Sequence, residues 1–257
     1  MKRIIWLCAK VSIVVLFLGC SGSLGKKALP SVRYSGMTGR RSLVVLFPTL
    51  GGQGSHYETQ GFLDEVWERG FEASMEVLDV KPSLYLGSRI VELVKTEVIE
   101  PAKAEGFEEI YLVGISLGGH GALLYATTYP EDVDGIVLLA PFISGDRARE
   151  SIDEAGGLDT WEDCPFLAWT HACNLWKSLK GYVSDPKNQR KIVLGFGTED
   201  IFVEQCRVLA DVLLPEQVFT VSGGHDWATW KKLFIKAADY FQELKIQRER
   251  HSDSRPE

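Results

Sequence analysis

Basic residues are in short supply in this 257-residue chain: 28 Lys and Arg stand against 35 Asp and Glu, a formal net charge of −7. Such a body is a poor nucleic-acid binder, because a polyanion is held chiefly by surface cations. Cysteine is sparse too. No spacing among Cys8, Cys20, Cys164, Cys173 and Cys206 suggests a metal site. No internal repeat is present, so a stacked array is excluded. The apolar stretch at the amino terminus is interrupted by Lys10, and its uninterrupted part is too short for a comfortable transmembrane helix. What is present is a 45% hydrophobic composition, enough for one sizeable core. Apolar runs alternate with helical patterns as in a parallel α/β sheet. Strands are expected at residues 43–47, 71–80, 109–115, 135–140, 191–196 and 217–221, with helices between them. Ile90, Val94 and Val98 recur every four residues as one buried helical face, which Pro101 is expected to kink or end.

Gly114-Ile115-Ser116-Leu117-Gly118 lies between an apolar strand and a helix-forming stretch. The glycines permit a sharp turn and close helix–strand packing, which leaves the serine hydroxyl exposed: a nucleophile elbow. A serine hydroxyl needs a neutral imidazole to take its proton and a carboxylate to fix that imidazole's tautomer. Gly197-Thr198-Glu199-Asp200 follows a strand and offers Asp200 as the acid; Gly223-Gly224-His225 follows the next and offers His225 as the base. Asp146 is the nearest rival acid, and Glu199 and Asp226 are weaker ones. Asp200 also suits a turn or a helix N-cap.

The chain order Ser116, Asp200, His225, each on a loop after a strand, resembles the α/β-hydrolase superfamily over about residues 42–245. The resemblance rests on the elbow, on Gly197-Thr198-Glu199-Asp200 and on Gly223-Gly224-His225-Asp226-Trp227. It implies an α/β-hydrolase fold, a mostly parallel sheet flanked by helices with a small cap insertion at about residues 142–190. In that family the loop Phe47-Pro48-Thr49-Leu50-Gly51-Gly52 supplies part of an oxyanion hole, and the pattern implies the N–H groups of Leu50 and Leu117 as donors. Pro48-Thr49 replaces the usual His-Gly opening, so Thr49 is an alternative to Leu50. His56 either lines the pocket or sits in the loop.

Lys2 and Arg3 precede the amino-terminal apolar stretch, which reads as a secretory signal over residues 1–19. Phe17-Leu18-Gly19-Cys20 resembles a bacterial lipobox, which implies lipidation of Cys20 and a protein tethered to a membrane of the cell envelope. Conventional cleavage or an uncleaved anchor are the alternatives. Loss of residues 1–19 removes three basic residues and no acid, leaving 25 against 35 and a net charge of −10. Residues 20–40 read as a tether, 41–246 as the catalytic domain, and the polar stretch 247–257 as a disordered tail. Cys164 and Cys173 are close enough to pair, leaving one thiol over. Within the cap, Trp161, Phe166, Leu167, Trp169, Leu175 and Trp176 either line an apolar acyl pocket or form the cap's own small core.

Together these readings describe a lipid-anchored serine hydrolase that cleaves a small-molecule carboxylic ester through an acyl-enzyme and needs no cofactor. Peptide or amide cleavage, acyl transfer, and non-catalytic lipid binding are the alternatives on the same fold.

Overall fold

The computed structural model describes residues 28–36, 41–85, 89–164 and 170–253. The expected signal, Cys20, and Phe166, Leu167 and Trp169 lie outside the described residues. Strands β1 (Ser31–Tyr34), β2 (Ser42–Phe47), β3 (Ser74–Leu78), β4 (Glu109–Ile115), β5 (Gly135–Leu139), β6 (Ile192–Gly197) and β7 (Val218–Val221) form one sheet. Their order is β1-β3-β2-β4-β5-β6-β7. Every neighbouring pair is parallel except β1 with β3. Strands covered on both faces read as continuous apolar runs, which is why β2, β5 and β6 are buried at every position.

Successive side chains of a strand go to opposite faces. Leu43, Val45 and Phe47 join a core shared with Ile90, Val94, Ala122, Leu123, Leu179 and Leu209. These belong to α3 (Arg89–Val94), α5 (Leu117–Thr128), α7 (Thr170–Val183) and α9 (Val203–Ala210). Val44 and Leu46 join the opposite core with Tyr57, Phe62, Val66, Leu233 and Phe234. Those come from α1 (Ser55–Thr59), α2 (Phe62–Glu68) and α10 (Trp227–Asp253). The sheet is thus the α/β-hydrolase type that the sequence implies, with β4 at its centre.

Three local features differ from the sequence reading. Ser31–Tyr34, inside the expected tether, is strand β1, with Ser31 opposite Leu78 and Arg33 opposite Glu76. The buried Glu76 carboxylate accepts from the Ser31 hydroxyl and the Arg33 guanidinium. Arg33 also pairs with Glu105. A long-range ion pair therefore recruits a segment whose composition alone looks like a linker.

Pro101, expected to kink or end a helix, sits in the first turn of α4 (Glu100–Ala104). A π-helical turn, Lys95–Ile99, precedes it, and Glu100 N–H donates to the Lys95 carbonyl five residues back. The wider turn accommodates the ring and missing N–H that proline brings to an α-helical ladder. Finally, α10 continues to Asp253, into the stretch expected to be disordered. Residues 247–250 are Gln-Arg-Glu-Arg, all favourable helix formers, and no glycine or proline intervenes before Pro256.

Candidate active site

Strand β4 delivers Ser116 to the centre of the sheet's carboxyl edge. Its backbone lies at φ 55° and ψ −118°, a strained conformation for a residue with a Cβ that costs about 1–3 kcal/mol. The surroundings hold it there. Ser116 N–H donates to the Leu139 carbonyl at 3.0 Å, and the Ser116 carbonyl accepts from Gly119 N–H at 3.0 Å and Phe142 N–H at 2.9 Å. A Cβ at Gly114 would meet the Gly118 carbonyl oxygen at 2.5 Å, and one at Gly118 would meet that of Phe47 at 2.2 Å. Glycine at both sites is therefore a packing requirement of the elbow.

Asp200 follows β6 and His225 follows β7, two adjacent parallel strands. Their loops are joined by backbone hydrogen bonds, Thr198 N–H to Val221 O at 2.9 Å and Glu199 N–H to Gly223 O at 3.0 Å. His225 Nδ1 lies 2.9 and 3.0 Å from the two Asp200 carboxylate oxygens. Its Nε2 lies 3.0 Å from Ser116 Oγ. Because a carboxylate only accepts, Nδ1 carries the proton and Nε2 is left to accept from the serine hydroxyl. Asp200 is 3% exposed, and its Oδ1 also accepts Phe202 N–H at 2.8 Å.

The rival carboxylates are placed elsewhere. Asp146 is exposed at the first position of α6 (Asp146–Glu154). Glu199 accepts from the Ser222 hydroxyl at 3.1 Å. Asp226 caps α10, accepting Thr229 N–H at 2.9 Å and the Thr229 hydroxyl at 3.1 Å. The Thr229 N–H bond holds the Asp226 carboxyl below the usual range. Only Asp200 of the four reaches His225.

The imidazole is seated between aromatic edges. Phe202 lies 5.0 Å from it and Trp230 4.8 Å, both near perpendicular, and Phe142 packs on Phe202 at 5.4 Å. Sequence reading missed this wall. Its signal is positional, since Phe142 and Phe202 each stand a few residues beyond a strand's carboxyl end. Leu50, 65% exposed, and Ile201, 73% exposed, stand on the loops after β2 and β6, with β4 and its serine between those strands. His56 lies on α1 with its ring 5.7 Å from Trp227. Burial lowers the pKa of His120, one helical turn beyond Ser116. Burial, and after it the Asp200 charge, pushes the Cys206 thiol up, so that thiol remains protonated.

Leu117 is the first residue of α5, where a backbone N–H has no partner within the helix. Opposite, Thr49-Leu50-Gly51-Gly52 forms a turn closed by Gly52 N–H on Thr49 O at 3.0 Å, with Gly51 at φ 69°.

The described cap aromatics are core residues. Trp161 and Trp176 are buried, their indole N–H groups bound to Ser151 at 2.8 Å and Ser144 at 2.7 Å, and Leu175 is buried with them. Cys164 and Cys173 form a disulfide, and Cys206 is free and buried.

The Esterase family model ("Putative esterase") matches residues 54–241. The acetyl esterase of Caldicellulosiruptor saccharolyticus is 22% identical over 178 residues, 62% of this chain and 63% of that protein, so the chain spans under two thirds of its length. Among solved structures, fluorophosphonate-binding serine hydrolase F of Staphylococcus aureus is 15% identical with a TM-score of 0.60, over 84% of this chain and 98% of that one. The S-formylglutathione hydrolase of the same organism is 16% identical with a TM-score of 0.54, over 78% and 80%. At these identities the structural likeness is one of fold.

Proposed function

This chain belongs to the Esterase family and is a hydrolase, and from that premise we propose that it cleaves a carboxylic ester through a Ser116-His225-Asp200 triad and an acyl-enzyme. The observation that carries the reading is the hydrogen-bonded line from Ser116 Oγ through His225 to Asp200, 3.0 Å on one side of the ring and 2.9 Å on the other. As Ser116 attacks the ester carbonyl, His225 takes its proton and then returns it to the departing alkoxide. Water repeats the sequence to release the acid. The N–H groups of Leu117 and Leu50 meet the negative charge on the tetrahedral intermediate; losing one such donor elsewhere costs about 3 kcal/mol.

The substrate class follows from the apolar surroundings of the line. Phe142, Phe202, Leu50 and Ile201 offer an uncharged surface to the acyl group, and an apolar wall gains about 25 cal/mol per Å² that it covers. The enzyme therefore prefers uncharged acyl groups of short to medium length. Across a p-nitrophenyl ester series, kcat/KM rises over the first few methylenes and then falls once the space is filled, each CH₂ contributing up to about 0.8 kcal/mol. A flat profile, or faster turnover of aminoacyl amides than of simple esters, would reverse the assignment in favour of a peptidase.

Lipidation of Cys20 is part of the same proposal and rests on the lipobox-like residues that precede it. Several acyl chains on one cysteine hold a protein at a membrane, where a single chain binds only marginally. Intact mass of the exported protein is expected to show a modified Cys20 as its first residue; an unmodified Cys20 or another start refutes the anchor.

A further inference from the structure

The last two carbonyls before the Thr49–Gly52 turn are gripped by phenols that come from opposite faces of the sheet. Tyr57 on α1, in the core with Val44 and Leu46, donates to the Phe47 carbonyl at 2.7 Å. Tyr85, in the core with Val45 and Phe47, donates to the Pro48 carbonyl at 3.2 Å. Both rings are buried. Tyr85 packs so closely on α5 that a Cβ at Gly121 would lie 2.5 Å from its ring. The same carbonyls crowd the first turn of α5, since a Cβ at Gly118 would meet the Phe47 oxygen at 2.2 Å and the Pro48 oxygen at 2.8 Å.

This arrangement controls where the following N–H groups point. In a trans peptide the C=O and N–H lie antiparallel in one plane, so fixing the Pro48 oxygen fixes the Thr49 N–H. The Thr49 oxygen is then held by Gly52 N–H, which fixes the Leu50 N–H in the next peptide. Pro48 itself has no N–H, so β2 ends there and its terminal carbonyls need partners from elsewhere. The two hydroxyls supply them, and burial raises both phenols' pKa, so each stays a donor throughout the pH range of a working esterase.

We propose that Tyr85, with Tyr57 beside it, is a positioning residue for the oxyanion-binding turn, holding the Pro48–Thr49 peptide so that the N–H groups after it meet the charge of the tetrahedral intermediate. The inference rests on the acyl-enzyme reading above. The hydroxyls touch no substrate; they act through backbone that is already oriented before the ester arrives. An oxyanion donor acts through alignment, and a displacement near 1 Å costs on the order of 10²-fold in rate.

Tyr85→Phe keeps the ring on Gly121 and removes only the hydroxyl. Its kcat is expected to fall about 10- to 100-fold while KM stays within about threefold, and a boronic acid that forms a tetrahedral adduct with the serine loses affinity by a similar factor. Tyr57→Phe carries the same expectation, and decides the matter if Tyr85→Phe does not fold. The control is Tyr125→Phe, which removes a buried phenol bonded to Asp132 at 2.7 Å away from the turn. It lowers thermal stability and leaves kcat and boronate affinity unchanged. Wild-type kcat and boronate affinity in folded Tyr85→Phe would overturn the proposal, as would losses matched by Tyr125→Phe. Ser116→Ala run alongside separates the two levels. An inactive Ser116→Ala with full-rate tyrosine variants removes the positioning role alone, whereas an active Ser116→Ala removes the acyl-enzyme reading beneath it.

Discussion

Ser116→Ala is expected to abolish fluorophosphonate labelling and to lower kcat by roughly 10⁴- to 10⁶-fold, the range seen where a triad serine is removed from other enzymes. The expectation comes from the geometry of the elbow. The residue is 6% exposed, and its hydroxyl lies 3.0 Å from an imidazole nitrogen. Alanine at φ 55° bears the same backbone strain as serine, so the substitution leaves the fold's energetics nearly unchanged and the lost rate reports chemistry. A residual rate about 10³- to 10⁴-fold above the uncatalysed background is what the remaining oxyanion donors and binding supply. Undiminished labelling of the variant would show that another nucleophile reacts.

Asp200→Asn is expected to reduce kcat by about 10⁴-fold, because the wrong tautomer of the histidine is then favoured. Asparagine is nearly isosteric, and its amide oxygen can still accept Phe202 N–H, so the loop after β6 keeps its shape. Its NH₂ group, however, presents a donor where the carboxylate had only acceptors. If that donor faces His225 Nδ1, the ring proton moves to Nε2, and the imidazole has no lone pair left for the serine proton. Parallel kinetics of Asp146→Asn, a change at an exposed helix start, should remain within about twofold of wild type, as is usual for surface substitutions. A larger loss at Asp146 than at Asp200 would reverse the assignment.

Much of this was legible in the sequence for a physical reason: buried parallel strands must be apolar at every position, and the residues that follow them are polar or glycine. That contrast marked β2, β4, β5 and β6 and put Ser116 and Asp200 at strand ends, while His225 follows β7, a shorter run at the sheet's edge. What escaped depended on long-range partners. Nothing within residues 31–34 marks a strand; Glu76 and Arg33, 43 residues apart, make it one. Pro101 reads as a helix breaker because a local pattern does not disclose a π turn. The cap tryptophans read as pocket or core, since only packing decides which way an indole faces. Tyr57 and Tyr85 left no mark at all, because their role lies in a hydroxyl meeting a main-chain carbonyl, a contact that places no constraint on neighbouring residue types.

The reversed direction of β1 has a spatial consequence. Because Ser31 sits opposite Leu78, the last residue of β3, the chain meets the sheet at the edge where all the parallel strands finish and where Ser116 opens. Just upstream of that edge the chain turns onto the flanking helix, where the Ala28 and Leu29 N–H groups donate to Glu97 and Leu29 is buried. Seven residues lie between Cys20 and Ala28, and the eight residue steps that join them span at most about 28 Å. If Cys20 is acylated as proposed, the domain is tied to the bilayer by way of this helix-bound segment, so its distance from the membrane is set by the link to Ala28.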